Sequence, residues 1–136
     1  MDLDKARDFL RANHRAVLAT LRSNGTPQLS PVTLGIDGEG YAVISTRETA
    51  YKVKNLRRDP RAWVCALNDQ FFGQWIQAEG PVEIVSLPDA MDGLVDYYRS
   101  ISGEHPDWDD YRAAMVRDQR CLIRIRIDRA GPDRQG

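Results

Sequence analysis

Residues 16–36 read AVLATLRSNGTPQLSPVTLGI, and this stretch decides the fold class. Ala16 to Leu21 is a short continuous apolar run, and Asn24-Gly25 follows it with the residue pair that supplies the positive φ angles of a tight hairpin. Two antiparallel strands are therefore expected. In the second, Gln28, Ser30, Val32, Leu34 and Ile36 share one face, which grades from polar to apolar. A polar patch inside a barrel points to a ligand. Pro31 has no amide hydrogen, which puts this strand at an edge or a bulge.

On the N-terminal side, Leu3, Ala6, Phe9 and Leu10 recur at helical spacing, so residues 2–13 read as an amphipathic helix that His14 ends. On the C-terminal side, Asp37-Gly38-Glu39-Gly40 is a turn and Tyr41 to Thr46 a third strand. Thr49 is placed to cap a helix from Ala50 to Arg58, which Asp59-Pro60 terminates before a fourth strand, Ala62 to Leu67. Gln74 to Val85 is a long fifth strand with Gly80-Pro81 as a bulge or bend. Pro88 to Ser102 is helical with Met91, Leu94, Val95, Tyr98 and Ile101 as its buried stripe, and a second helix carries Trp108, Tyr111 and Met115. These two form a lid or flank. In the last strand Cys121, Ile123, Ile125 and Ile127 alternate with Arg124, Arg126 and Asp128 on a wet face. Six strands with helices at both ends and one inserted predict a closed or nearly closed antiparallel β-barrel, one domain over residues 1–129 with a flexible tail at 130–136.

The composition is that of an ordinary globular protein, 42% hydrophobic and 29% charged, and no apolar run approaches the about 18 residues of a membrane span. The N-terminus is acidic and amphipathic rather than a signal peptide, which leads to a cytoplasmic expectation. A net charge of −1 gives no global field for nucleic acid or an anionic membrane, so any anion site is local. Such a site is visible. Between Arg47 and Arg61, six cations (Arg47, Lys52, Lys54, Arg57, Arg58, Arg61) face two carboxylates, Glu48 and Asp59.

A strand end at Ser45-Thr46 delivers two hydroxyls, and the following helix presents unpaired amide hydrogens and the positive end of its dipole. Lys52 in the first turn opposes that dipole, a poor choice for stability alone, and suits a phosphate. Gln28 and Ser30 offer hydrogen-bonding groups of the kind a flavin-type pyrimidine edge needs. Phe71-Phe72-Gly73-Gln74-Trp75 sets three aromatics around a glycine at the entrance to a strand, as a stacking wall, a core contact or a dimer contact. Cys65 and Cys121 are too few and too far apart for zinc or a redox pair. Glu104-His105 with Asp107, Asp109 and Asp110 reads as a capped acidic first turn rather than a metal site. No Ser-His-Asp or Cys-His arrangement and no phosphate-loop motif is evident, and His14 has no partner carboxylate at a recognisable spacing.

The set Thr20-Leu21, Gly25-Thr26-Pro27-Gln28-Leu29-Ser30-Pro31-Val32, Lys52 through Arg61 and Ala78-Glu79-Gly80 resembles the flavin/deazaflavin oxidoreductases of the pyridoxamine-phosphate-oxidase-like split barrel. Gly103 to Tyr111 is similar to a segment of the branch that uses coenzyme F420. The resemblance implies a mainly β fold with flanking helices, a six-stranded antiparallel FMN-binding split barrel. It also implies a homodimer with cofactor sites at the subunit interface and a small-molecule substrate. Lys52 would hold the cofactor phosphate with Ser45, Thr46 and Asn55 as neighbours; Gln28, Ser30 and Val32 would line the ring; Gly73, Gln74 and Trp75 would close the site from the second subunit. The implied cofactor is F420, with FMN as the alternative, and a carrier of F420, haem or a tetrapyrrole is the non-catalytic alternative. Some relatives carry a basic residue two positions before the lysine, where this chain has Ala50, so Arg47 or Lys54 would supply that charge. Lys54, Arg57 and Arg58 are candidate partners for the acidic tail of F420. The arginine-rich, lysine-poor composition fits an actinobacterial source.

Overall fold

The computed structural model describes residues 1–132 and 134–135. Asp2 opens the first helix, α1 (Leu3–Ala12), by accepting hydrogen bonds from the amides of Asp4 (2.8 Å) and Lys5 (3.1 Å). β1 (Arg15–Leu21) and β2 (Pro27–Thr33) form the expected hairpin, Leu21 opposite Pro27 and Arg15 opposite Thr33. Within its loop Gly25 takes a positive φ of +84° but Asn24 does not. Asn24 instead turns its side chain back, Oδ1 accepting from the amide (3.0 Å) and hydroxyl (2.6 Å) of Thr26.

The second expected strand is in fact two. Alternation persists through Ile36, but at Leu34 the chain leaves β1 and begins β3 (Gly35–Ile36), which pairs with β4 (Ala42–Arg47). The Leu34 amide closes the first ladder on the carbonyl of His14 (2.8 Å). A change of partner leaves the period of two intact, so the pattern conceals it. α2 (Tyr51–Arg58), β5 (Arg61–Leu67) and β6 (Gln74–Ser86) follow, then α3 (Met91–Ser102), α4 (Trp108–Arg117) and β7 (Arg120–Ile125). Two short strands, β8 (Arg129–Ala130) and β9 (Arg134–Gln135), end the chain. They account, with β3, for strands beyond the six expected. Of the anticipated tail, Ala130 pairs with Ala78 and Gln135 with Gln74, so the ladder reaches past residue 129; Asp133 and Gly136 lie outside the described residues.

All pairings are antiparallel, in the order β2-β1-β5-β6-β7-β4-β3, which puts the Pro31 strand at an edge, as its missing amide requires. The sheet curls around Leu10, Leu18, Leu34, Ile44, Leu56, Val64, Ile76, Ile123 and Ile125, all essentially inaccessible. A second cluster forms outside the curl, where Leu94, Val95 and Tyr111 of α3 and α4 cover Val43 and Leu122.

β6 serves both halves of the sheet. Residues 75–81 pair with β5 along one edge, and residues 82–86 pair with β7 along the other. The turn between these roles falls at Gly80-Pro81, the predicted bend. Along β6 the C-terminal strand slips by one residue between the pairs Val82–Ile125 and Glu79–Arg129, a bulge that brings the Arg126 carbonyl onto Gly80. A Cβ on Gly80 would overlap that oxygen, which is backbone and cannot swing away. Gly80→Ala should therefore lower the unfolding free energy by about 2–3 kcal/mol, whereas Gly38→Ala, facing open space, should change it by less than about 0.5 kcal/mol. Urea denaturation of the two variants checks this.

Candidate functional site

The ends of β4 and β7 lie side by side, with Ser45 opposite Leu122, Thr46 opposite Cys121 and Arg47 opposite Arg120. The chain then turns into α2. Its N-cap is Ala50, not Thr49, and no side chain caps it. The helix therefore starts with amides left open, and its first turn carries no acidic residue. Next to this corner a cavity of about 820 Å³ opens between the β1/β2 hairpin and helices α3 and α4. Ser45, Thr46, Lys52 and Arg120 form one wall, Tyr97, Tyr98, Tyr111 and Met115 a second, and Arg15, Val17, Pro31, Val32 and Leu67 a third.

The distribution of ion pairs singles this cavity out. Arg7, Arg11, Arg57, Arg61, Arg99, Arg112, Arg117, Arg124, Arg126 and Arg129 each face a carboxylate within 4.0 Å. Arg22 and Arg58 donate to backbone carbonyls. Within residues 1–132, that leaves Arg15, Arg47 and Arg120 without a side-chain hydrogen bond or ion pair, and all three line this cavity or the small one beside it. Lys52 joins them. Burial, and then repulsion from Arg120, hold its ammonium below the ordinary lysine range. The tyrosines shift the other way: burial raises Tyr97 against the opposing influence of the Ser45 backbone and Arg120, and burial pushes Tyr111 up to about 12. At neutral pH both phenols are protonated donors, Tyr97 to the Thr33 carbonyl (2.8 Å) and Tyr111 to that of Leu94 (2.7 Å). The aromatic wall is braced behind by His105 and Trp108, whose rings lie 5.0 and 5.8 Å from that of Tyr98. The arrangement can hold an oxyanion at one end and a flat ring along the other.

Of the residues expected at a site, Val32, Ser45, Thr46 and Lys52 line this cavity. Asn55 does not. It is buried, 7% exposed, and its amide donates to Thr20 Oγ1 (3.1 Å) and Gln28 Oε1 (2.8 Å) while Arg58 donates to its Oδ1 (3.1 Å). Asn55 and Gln28 thus tie α2 to the hairpin outside the cavity lining, and Ser30, half-buried on the same face, is not in the lining either. Gly73, Gln74 and Trp75 lie at the far end of β6, where Trp75 sits opposite Leu67 on the cavity rim. The space in front of Gly73 is filled by the Asn68 side chain of its own loop rather than left for a ring. Phe71 and Phe72 are 76% and 75% exposed, which rules out core packing within one chain. Arg57 is paired with Glu48 (2.7 Å). Sequence reasoning missed Arg15, Tyr97 and Arg120. Arg120, next to Cys121 at the start of the last strand, is marked by its want of a partner.

Another cavity, about 600 Å³, lies between α3 and the β4/β7 sheet and is rimmed by Asp37, Glu39, Asp89 and Asp96, which suits no anion. Among the described residues no group of three or more His, Cys, Asp or Glu could hold a metal ion, and no helix is long and apolar enough to cross a membrane.

A curled antiparallel sheet split by one shared strand, with helices closing its ends and a cationic corner at the inserted helix, defines the split-barrel class. The chain belongs to the pyridoxamine 5'-phosphate oxidase family, whose profile matches residues 3–131. Among solved structures it is similar to a conserved hypothetical protein of Mycobacterium tuberculosis at 26% identity (TM-score 0.77), covering 96% of this chain and 82% of that one. An F420 reductase shares the fold at 22% identity (TM-score 0.69; 92% and 94% covered). So does the haem storage protein HutZ of Vibrio cholerae at 15% identity (TM-score 0.70; 100% and 98% covered). One fold therefore carries unlike functions, and the site has to discriminate among them.

The lowered pKa of Lys52 makes a signed prediction. The unfolded chain holds its lysine proton up to the ordinary pKa, the folded chain releases it earlier, so the destabilising cost of Lys52 is full at neutral pH and fades as pH rises through the lowered value. The stability difference between Lys52→Met and wild type should favour the variant at neutral pH and shrink as pH approaches 10.5. Urea melts of both proteins across that range check it; a difference that stays flat or grows contradicts it.

Proposed function

We propose that the protein is an oxidoreductase that binds coenzyme F420 and passes hydride between the deazaflavin ring and a planar, electron-poor organic substrate. The observation that carries this reading is the gathering of uncompensated cations at one end of an aromatic cavity. A cluster left unpaired in a protein that pairs most of its other arginines fits a phosphorylated ring cofactor. When bound, F420 supplies two-electron hydride chemistry, which is why no acid-base dyad is needed from the chain. Lys52, with Ser45 and Thr46 beside it on one wall, would supply positive charge to the phosphate end of the cofactor. Val32 and the Tyr97/Tyr98/Tyr111 wall would exclude water from the ring, and the protonated phenols of Tyr97 and Tyr111 add no charge to it.

The cavity is open on one side, and a second copy of the chain closes it. Val17, Ala19, Trp63, Cys65, Leu67 and Trp75 form a half-buried apolar sheet face, edged by the exposed Leu29, Phe71 and Phe72. Val17 and Leu67 belong to both this face and the cavity wall. A homodimer seated here buries the patch and completes the site from the partner. Sedimentation should give a dimer, and Leu29→Asp combined with Cys65→Arg should give a folded monomer that has lost cofactor binding. A variant monomer that keeps full affinity contradicts the interfacial site.

Lys52→Ala should weaken F420 binding by about 1.5–3 kcal/mol through loss of a charge-assisted contact. Quenching of tryptophan fluorescence, titrated with F420 and with FMN in parallel, measures this and separates the two cofactors. Reduced F420 should be oxidised when quinones, enones and tetrapyrroles are supplied as a panel. Tight binding without turnover on any of them would make the protein a carrier.

A further inference from the structure

Arg120 stands in the wall between two cavities. One is the aromatic cavity; the other, about 430 Å³, lies at the start of α2 and is lined by Thr46, Arg47, Thr49, Ala50 and Arg120. Lys52 lines only the first. Among the described residues, Arg120 Nε is the one buried side-chain nitrogen or oxygen with no hydrogen-bond partner. Two further features burden this position. Its cross-strand neighbour is Arg47, a like charge directly opposite on the ladder. The residue before it, Gln119, holds a φ of +53°, in the left-handed region that side chains other than glycine seldom occupy. An orphaned donor, a like-charged neighbour and a strained approach are each costly, and together they mark a place where a ligand supplies what the chain withholds.

The missing ligand can be specified by its chemistry. Arg120 offers only donors, in a planar fork that matches two oxygens of one oxyanion. The rest of the small cavity offers the Thr46 and Thr49 hydroxyls, the Arg47 guanidinium and the uncapped start of α2. No acceptor-rich side chain lines it. We infer that Arg120 is the principal receptor for a phosphoryl group seated in the small cavity at the start of α2, with Lys52 adding charge from the ring side. The ring's place in the aromatic cavity rests on the function proposed above; the oxyanion's place beside Arg120 does not.

Inorganic phosphate and the pair FMN and riboflavin serve as probes, with wild type, Arg120→Gln and Arg120→Lys. Without ligand, Arg120→Gln should melt no lower than wild type, because it relieves repulsion and removes an orphan donor. Millimolar phosphate should raise the melting temperature of wild type, raise that of Arg120→Lys less, and leave Arg120→Gln unchanged. Wild type should prefer FMN to riboflavin, and Arg120→Gln should cut that preference by about tenfold to a hundredfold with riboflavin affinity intact. If Arg120→Gln melts lower without ligand, weakens both flavins alike, or responds to phosphate as wild type does, Arg120 is a structural residue and the inference is overturned. Wild type that shows no phosphate response overturns it too. A phosphate response lost in Arg120→Gln, in a protein that binds neither flavins nor F420, sustains Arg120 and refutes the cofactor reading; an intact FMN preference in Arg120→Gln does the reverse.

Discussion

The contact on which the architecture turns is the one between the Arg126 carbonyl and the bare backbone of Gly80. Because nothing larger than hydrogen fits there, the C-terminal strand can cross close over β6 at the point where β6 exchanges one neighbour for another. Its first residues complete a sheet with β5, β1 and β2, and its last complete a sheet with β7 and β4. One long strand bent at one glycine thus makes two half-sheets, and the mouth between them is where the cavity lies. The Arg126 amide, donating to the Pro81 carbonyl (3.0 Å), and the Asp128 amide, donating to that of Glu79 (3.0 Å), pin the crossing on either side of the glycine.

That geometry also explains the placing of charge. The mouth is reached by strand ends, β4 running out at Arg47 and β7 starting at Arg120, and an antiparallel pair sets those residues face to face. Elsewhere the chain neutralises its arginines with care: Arg124, largely covered, meets Asp37 at 2.9 Å and Glu83 at 3.0 Å and stacks 4.1 Å over the Tyr41 ring. Such a network shows that this fold can bring carboxylates to a largely covered cation. Their absence at the mouth is a property of that site and not of the composition as a whole.

How much of this was legible in the sequence depends on the range of the interaction concerned. Period-two alternation located the strands, because a half-buried strand writes its burial into its own residues. Gly80-Pro81 was legible as a bend, since neither residue belongs in an unbroken central strand. The break at Leu34 was hidden, for a strand that changes partner without changing faces leaves no mark. Gln28 and Asn55 were expected at the cofactor's ring and phosphate, and their distance along the chain concealed that each is the other's partner at 2.8 Å. Thr49 seemed the better cap on residue type, but the turn puts Ala50 in the capping position. Arg120 went unnoticed in the sequence; its distinction is a missing partner, and an absence in three dimensions has no signature in one.

The exchange of Thr49 for Ala50 at the cap bears on the chemistry. A capping serine, threonine, aspartate or asparagine is worth about 1 kcal/mol to a helix, and α1 and α4 both use one, Asp2 and Asp107. At α2, whose backbone at Ala50 is extended in the ordinary capping geometry (φ −65°, ψ 143°), the side chain that would take up the amides is lacking. A cap there would satisfy the helix from within and place an acceptor where an oxyanion's oxygens belong. Alanine leaves the amides and the dipole turned toward the small cavity, which Arg47 and Arg120 already make positive. The helix gives up local stability at its start, the ladder tolerates two facing guanidiniums, and Gln119 accepts a strained φ. These departures from local preference cluster within one corner of the molecule, and a single bound anion would relieve the electrostatic ones together.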